Sequence, residues 1–236
     1  VYPRMMKQMQ SYLSDFDFSE PGANWSNQKL VVSKSLISLA MEDLCLEAGV
    51  KLFYHFTLVD VVRKGRRIEY AVFRTRSGYA AIQAKTFVDA SGNADLAAFA
   101  GCGFEYGDRE HGLCQPMTLN FRLTNVDWSR YDGKAANALY KEYREKGLIK
   151  NPREDILVFR YPVYNIMHLN TTRIVGKNPT LVEDLTEAEM TAREQMYEMF
   201  LFLKKNIPGC ENCDIIESAS EIGIRESRRI VGLYTI

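Results

Sequence analysis

The sequence has few cysteines and few histidines, and it has no excess of charge of either sign. Five cysteines in 236 residues are too few and too scattered for a disulfide scaffold. The three histidines, His55, His111 and His168, show no metal-ligand spacing, so no metal site is expected. Thirty basic and thirty acidic residues cancel without a basic block, so we expect no nucleic-acid partner.

Long apolar runs are also missing. No uninterrupted apolar stretch approaches the length of a membrane span, and no signal peptide opens the chain. These absences predict no membrane partner and a cytoplasmic location. The first residue is Val1 rather than methionine, which favours a piece excised from a longer protein.

The residues that are present suit a globular protein. Hydrophobic residues make up 46% of the chain and charged residues 25%, which is an ordinary balance for a packed domain. The one CxxC pair, Cys210 and Cys213, follows a helix-stopping Pro208-Gly209 and has no second pair. A structural role is therefore favoured over redox or zinc chemistry.

One stretch, residues 85–101, organises the rest of the chain. The apolar run 86–90 predicts a buried strand, and the small residues Ala90, Ser91 and Gly92 predict a sharp turn. Asn93 and Asp95 then precede an Ala/Leu/Phe run of helical character. Ligands of open α/β sheets bind at such strand ends. Spacing alone favours a ligand-binding turn and an ordinary strand–helix turn equally.

The remaining pattern predicts a mixed α/β chain in two parts. Residues 1–107 should hold a partial sheet with an antiparallel meander, and residues 108–236 a second, largely antiparallel sheet with helices. Predicted helices cover 33–48, stopped by Gly49, and 134–146, stopped by Gly147. A third should start at a Thr186 capping box. Further strands are predicted at 50–56, 58–63, 68–75, 79–84, 117–123, 156–161, 164–169 and 214–217.

Several spaced motifs resemble one family. The segment TFVDASGNAD at 86–95 is similar to a segment of FAD-dependent oxidoreductases with a two-dinucleotide-type FAD fold, and the likeness continues at 115–118, 170–173 and 223–232. That family opens with a strand–GxGxxG–helix unit, which this sequence lacks. Gly101 and Gly103 follow a helix, and Gly107 falls one residue late. The resemblance therefore implies an interior piece of a longer flavoenzyme.

The resemblance also implies a cofactor and its contacts. FAD would be bound in the intact parent, while the isolated fragment should carry none, because the missing unit supplies the helix dipole under the pyrophosphate. Ser91 and Gly92 would line the adenosine or pyrophosphate side, and Leu58 and Val59 would lie near the adenine. The full set of implied cofactor-binding residues is Leu58, Val59, Ala90, Ser91, Gly92 and Asp95.

Three residues are candidates for catalysis. Arg225 and Arg228 could stabilise a reduced flavin or hold a substrate carboxylate, or they could form a solvated basic turn with nearby glutamates. His168 could accept a proton from a substrate, or it could be a satisfied core histidine. The implied reaction is oxidation or reduction of a small organic substrate. The alternative is a non-catalytic binding or assembly module, and uncovered sheet edges predict self-association in either case.

Overall fold

The computed structural model describes residues 2–12, 34–160 and 165–234. Two helices come first, α1 (Tyr2–Ser11) and α2 (Lys34–Glu47), and they pack together through the buried Met9 and Ala40. Gly49 ends α2 at a φ of 72°, the left-handed conformation that glycine adopts without strain. The helix predicted over 33–48 is confirmed.

A three-stranded antiparallel meander follows α2. Its strands β1 (Thr57–Lys64), β2 (Arg67–Thr75) and β3 (Gly78–Ile82) lie in the order β1-β2-β3. The tight β1–β2 turn contains Gly65 at a φ of 59°, which explains how two long strands can be joined by so few residues. The predicted meander is confirmed.

Two further predicted strands are absent from the described residues. Neither 50–56 nor 86–90 pairs with a neighbour, and Val88 is 85% exposed. A strand exists only where a second strand satisfies its backbone N–H and C=O groups, and no described segment forms a backbone ladder with either of these two. Their apolar composition was therefore not enough to predict the pairing.

A short helix and a small ribbon connect the meander to the rest of the chain. Helix α3 (Asp95–Phe99) follows the 89–95 turn and packs beside β1. Gly101 follows α3 at a φ of 76°. The partial GxGxxG match that begins at Gly101 therefore does come after a helix. Strand β4 (Phe104–Glu105) pairs antiparallel with the late strand β9 (Arg229–Ile230).

The second half contains four strands and two long helices: β5 (Phe121–Thr124), α4 (Gly133–Glu145), β6 (Val158–Arg160), β7 (Met167–Leu169), α5 (Val182–Asn206) and β8 (Asp214–Ser218). The strands form an antiparallel sheet in the order β6-β7-β5-β8. Helices α4 and α5 supply the apolar residues that pack against one face of this sheet. Because side chains alternate across a strand, the intervening residues lie on the opposite face.

The two long helices begin differently. Asp132 caps α4 by accepting hydrogen bonds from the backbone N–H groups of Lys134 and Ala135. Helix α5 begins at Val182, so Thr186 lies inside it and donates its hydroxyl to the Val182 carbonyl. The predicted capping box at Thr186 is wrong, because the helix starts one turn earlier than that motif indicated.

Cys210 and Cys213 are fully buried in the core, and burial raises the pKa of the Cys210 thiol to about 12, which agrees with a structural role. Among the described residues, no group of three or more His, Cys, Asp or Glu side chains is placed to hold a metal ion. No helix in the described ranges is long and apolar enough to cross a membrane.

Candidate functional site

The turn that precedes α3 is organised by one carboxylate. Asp89 accepts hydrogen bonds from the backbone N–H groups of Ser91 at 3.0 Å and Ala97 at 2.9 Å. Partial burial alone would raise the pKa of Asp89, but these N–H donors outweigh it, so the pKa is lowered. Ser91 Oγ in turn accepts from the N–H of Asp95 at 2.9 Å. The turn is thus fixed by its own side chains.

Gly92 is the open point of this turn. Its φ is 79°, and a Cβ built on it would have no atom within 4 Å. The neighbouring Ala94 also has a positive φ of 55°, so the backbone here takes two left-handed steps. Such a side-chain-poor turn lets a ligand approach the backbone closely, and these residues therefore fit the phosphate or adenosine side of a dinucleotide.

The segment 226–229, which contains Arg228, contacts this turn through hydrogen bonds and an ion pair. Arg228 Nη1 donates to the Asn93 carbonyl at 3.0 Å and to Asp95 Oδ1 at 2.7 Å, across 133 residues of chain in the second case. The buried Ser227 donates its hydroxyl to Asn93 Oδ1 at 2.9 Å. The guanidinium carbon also lies 5.6 Å from the Phe104 ring centroid. Two distant motifs therefore form one cluster.

The neighbouring residues of the same segment hold a second loop. Arg229 donates to the Gly107 carbonyl and pairs with Glu226, and Glu226 Oε2 accepts from the Gln115 N–H at 2.9 Å. A Cβ on Gly107 would lie 2.4 Å from the Gly112 backbone, so only glycine fits there. These residues line a cleft of about 500 Å³, together with Asp108, Leu113, Cys114, Pro116, Val175 and Gly176.

The other predicted site residues are distributed over three places. Leu58 and Val59 lie in β1 at an irregularity in its pairing with β2, and β1 also contacts α3, so they are on the element next to the turn. Arg225 is exposed and has no ion pair among the described residues. His168 lies on the outer face of the four-stranded sheet, half-buried beside Arg122.

Several residues of the cluster were not among the predicted site residues. Asp89, Asn93 and Ser227 all lie inside the motifs that carried the family resemblance. What the sequence could not indicate was their pairing, because no periodic pattern relates a turn at 89–95 to a segment at 226–229. Only the fold brings the two together.

This cluster can be set beside known proteins. The sequence model for FAD dependent oxidoreductases matches residues 2–236. The chain belongs to the FAD dependent oxidoreductase family. That membership confirms the resemblance in the motifs, and the mixed helices and antiparallel sheets confirm the predicted α/β fold class. No curated protein matches the chain.

Two solved structures show a distant likeness to this chain. One is the flavin-dependent brominase Bmp2, with a TM-score of 0.48 and 14% identity, covering 87% of this chain and 46% of that one. Another is a geranylgeranyl bacteriochlorophyll reductase-like protein (Ta0516) from Thermoplasma acidophilum, with a TM-score of 0.47 and 17% identity, covering 80% of this chain and 40% of that one. The chain thus spans less than half the length of these structures.

Proposed function

We propose that this chain is an interior portion of a longer FAD-dependent oxidoreductase that acts on a small organic substrate. The observation that carries the proposal is the contact of Arg228 with Asn93 and Asp95. It joins two of the segments that carry the family resemblance, 86–95 and 223–232, into one cluster around an open glycine turn. A binding or assembly module that had lost the cofactor would have no need to keep this turn open to it.

The residues of the cluster have distinct roles in this proposal. Ser91 and Gly92 would hold the adenosine or pyrophosphate side of FAD through close backbone approach, and Leu58 and Val59 on β1 would lie near the adenine. Arg228 acts as a positioning residue, because its guanidinium is engaged with the turn itself. The exposed Arg225 would meet an anionic group of the substrate or the flavin edge. When bound, the flavin supplies the redox chemistry.

Replacement of the open glycine tests this assignment in the full-length protein. Gly92→Val should abolish flavin retention, because a branched side chain would project into the space next to the turn. The measurement is the ratio of flavin to protein, from absorbance after gel filtration.

The β1–β2 turn offers a matched control. Gly65 has a φ of 59° and, like Gly92, has no atom within 4 Å of a built Cβ, so Gly65→Val carries a similar backbone strain of about 1–2 kcal/mol. It should keep its flavin. A full-length parent that binds no flavin in its unaltered form would instead favour the binding-module alternative. Equal flavin content in the Gly92→Val and Gly65→Val variants would contradict the assignment of Gly92 to the flavin site.

A further inference from the structure

The end of the three-stranded meander at the β1–β2 turn carries two cations side by side. The register places Lys64 of β1 directly opposite Arg67 of β2. Residues that lie opposite each other in an antiparallel ladder share one face of the sheet, and like charges in such a pair repel. Neither side chain forms an ion pair with any described residue. The ladder therefore ends in a repulsion that a bound anion would relieve.

This pair lines an open cleft. Its volume is about 650 Å³, and its walls are Lys64, Arg67, Ile68, Glu69, Gln83, Ala84 and Lys85. That volume lies within the range of about 300–1,000 Å³ that is usual for ligand pockets. None of these residues belongs to the 89–95 turn or to the 226–229 segment, so the cleft shares no residue with the candidate flavin site.

The cleft has an excess of positive charge. Lys64, Arg67 and Lys85 are its three cations, and Glu69 is the single carboxylate in its lining. Within the described part of the chain, none of these four side chains takes part in an ion pair. Two positive charges therefore exceed the negative charge of the lining, and a ligand with two negative charges would neutralise them.

The residue types in the lining favour phosphate over other anions. A guanidinium such as that of Arg67 can hold two phosphate oxygens at once, while a lysine adds a mobile point charge. A phosphate monoester carries close to two negative charges above its second pKa of about 6. Ile68 and Ala84 add apolar surface beside the charged groups, where a small organic group could pack.

We propose that this cleft binds the phosphate of a small phosphate monoester, with Arg67 as the main contact and Lys64 and Lys85 beside it. The proposal does not rest on the flavoenzyme function, because it uses none of the residues assigned to the flavin. It follows from a like-charge pair without a partner, an excess of two positive charges and a cleft of ligand size.

The first test compares methyl phosphate with dimethyl phosphate by calorimetric titration of the full-length protein. At about pH 8 and constant ionic strength, the monoester carries two charges and the diester one. Methyl phosphate should bind at least about tenfold more tightly, since the second charge strengthens each hydrogen bond to a cation. Dimethyl phosphate also represents the diesters of lipids and nucleic acids. Absence of methyl phosphate binding, or an equal or higher affinity for the diester, would overturn the proposal.

Substitutions in the lining test the assigned contacts. Arg67→Gln and Lys85→Gln should each weaken methyl phosphate binding by about tenfold or more. Arg67→Gln should still fold, because it removes one member of a like-charge pair. Glu69→Gln should tighten binding by about two- to fivefold, because it removes the one carboxylate of the lining.

Arg74→Gln is the matched control. Arg74 lies in the same strand as Arg67 but does not line the cleft, and its substitution removes the same charge. It should change the affinity by less than about twofold, because exposed charges outside a site are screened by salt. An equal loss in Arg74→Gln would mean that the overall charge of the meander holds the probe. That result, or unchanged affinity in Arg67→Gln, would overturn the proposal.

The Gly92→Val variant separates this cleft from the phosphates of a flavin. It should leave the affinity for methyl phosphate unchanged, whatever its flavin content. Loss of methyl phosphate binding in Gly92→Val would place the probe in the 89–95 turn and overturn the proposal. A full-length protein that binds no flavin and still prefers the monoester supports the cleft while counting against the flavoenzyme assignment.

Discussion

At the scale of single residues, the arginines of the 223–232 segment differ more than their spacing suggests. Arg228 is 18% exposed in its side chain and is engaged with Asp95, whereas Arg225 is exposed and has no ion pair in the described part of the chain. In a regular strand Arg225 and Arg229 would share one face and Arg228 would point to the other. The structure separates Arg228 and Arg229 in this way, since one holds the turn and the other the Gly107 loop.

This difference predicts unequal effects on stability. Arg228→Ala should lower the free energy of unfolding of the full-length protein by about 1–2 kcal/mol, because it leaves Asp95 and the Asn93 carbonyl without their charged donor; the value is discounted for the partial exposure of Asp95. Arg225→Ala should change it by less than about 0.5 kcal/mol. Denaturant titration measures both, and equal effects of the two substitutions would contradict the positioning role of Arg228.

At the scale of elements, sequence predicted structure well where the signal was local. Helix α2 and helix α4 fall within one residue of their predicted bounds, because Gly49 and Gly147 act on the adjacent backbone alone. The meander was also predictable, since tight turns bring its strands together within a few residues. The strand at 86–90 was not, because pairing depends on a segment elsewhere in the chain. The candidate site follows the same rule. Its motifs are local in the sequence, whereas the contact between Arg228 and Asp95 joins distant parts of the chain.

The two long helices allow a direct test of the capping assignment. Asp132→Ala should destabilise the protein by about 1 kcal/mol, because the N–H groups of Lys134 and Ala135 lose their acceptor. Thr186→Ala should be neutral or stabilising by a few tenths of a kcal/mol, since Thr186 is exposed inside α5 and alanine has the higher helix propensity. Thermal melting compares them. A larger loss at Thr186 would restore the capping box as the true start of α5.

At the scale of the whole molecule, two segments that belong to no described sheet carry exposed apolar side chains. Phe53 and Tyr54 are 49% and 61% exposed, and Val88 is 85% exposed. They lie in the two segments, 50–56 and 86–90, whose apolar sequence predicted strands but which pair with no described neighbour. Patches of this kind mark surfaces that are normally covered by another part of a protein or by another chain.

This surface predicts that the isolated 236-residue chain self-associates at micromolar concentration. Unpaired apolar segments recruit one another by edge-to-edge contact, and a lysine placed among them opposes it. Val88→Lys should therefore shift the sedimentation profile towards the monomer at no cost to packing, because that side chain is already exposed.

Met190→Lys is the matched control, since Met190 is 60% exposed on helix α5, remote in sequence from both segments, and it should leave the profile unchanged. Analytical ultracentrifugation of the three proteins decides the matter. A clean monomer for the unaltered chain would mean that these segments cover themselves, and an equal shift in both variants would mean that added charge, rather than the 86–90 segment, controls association.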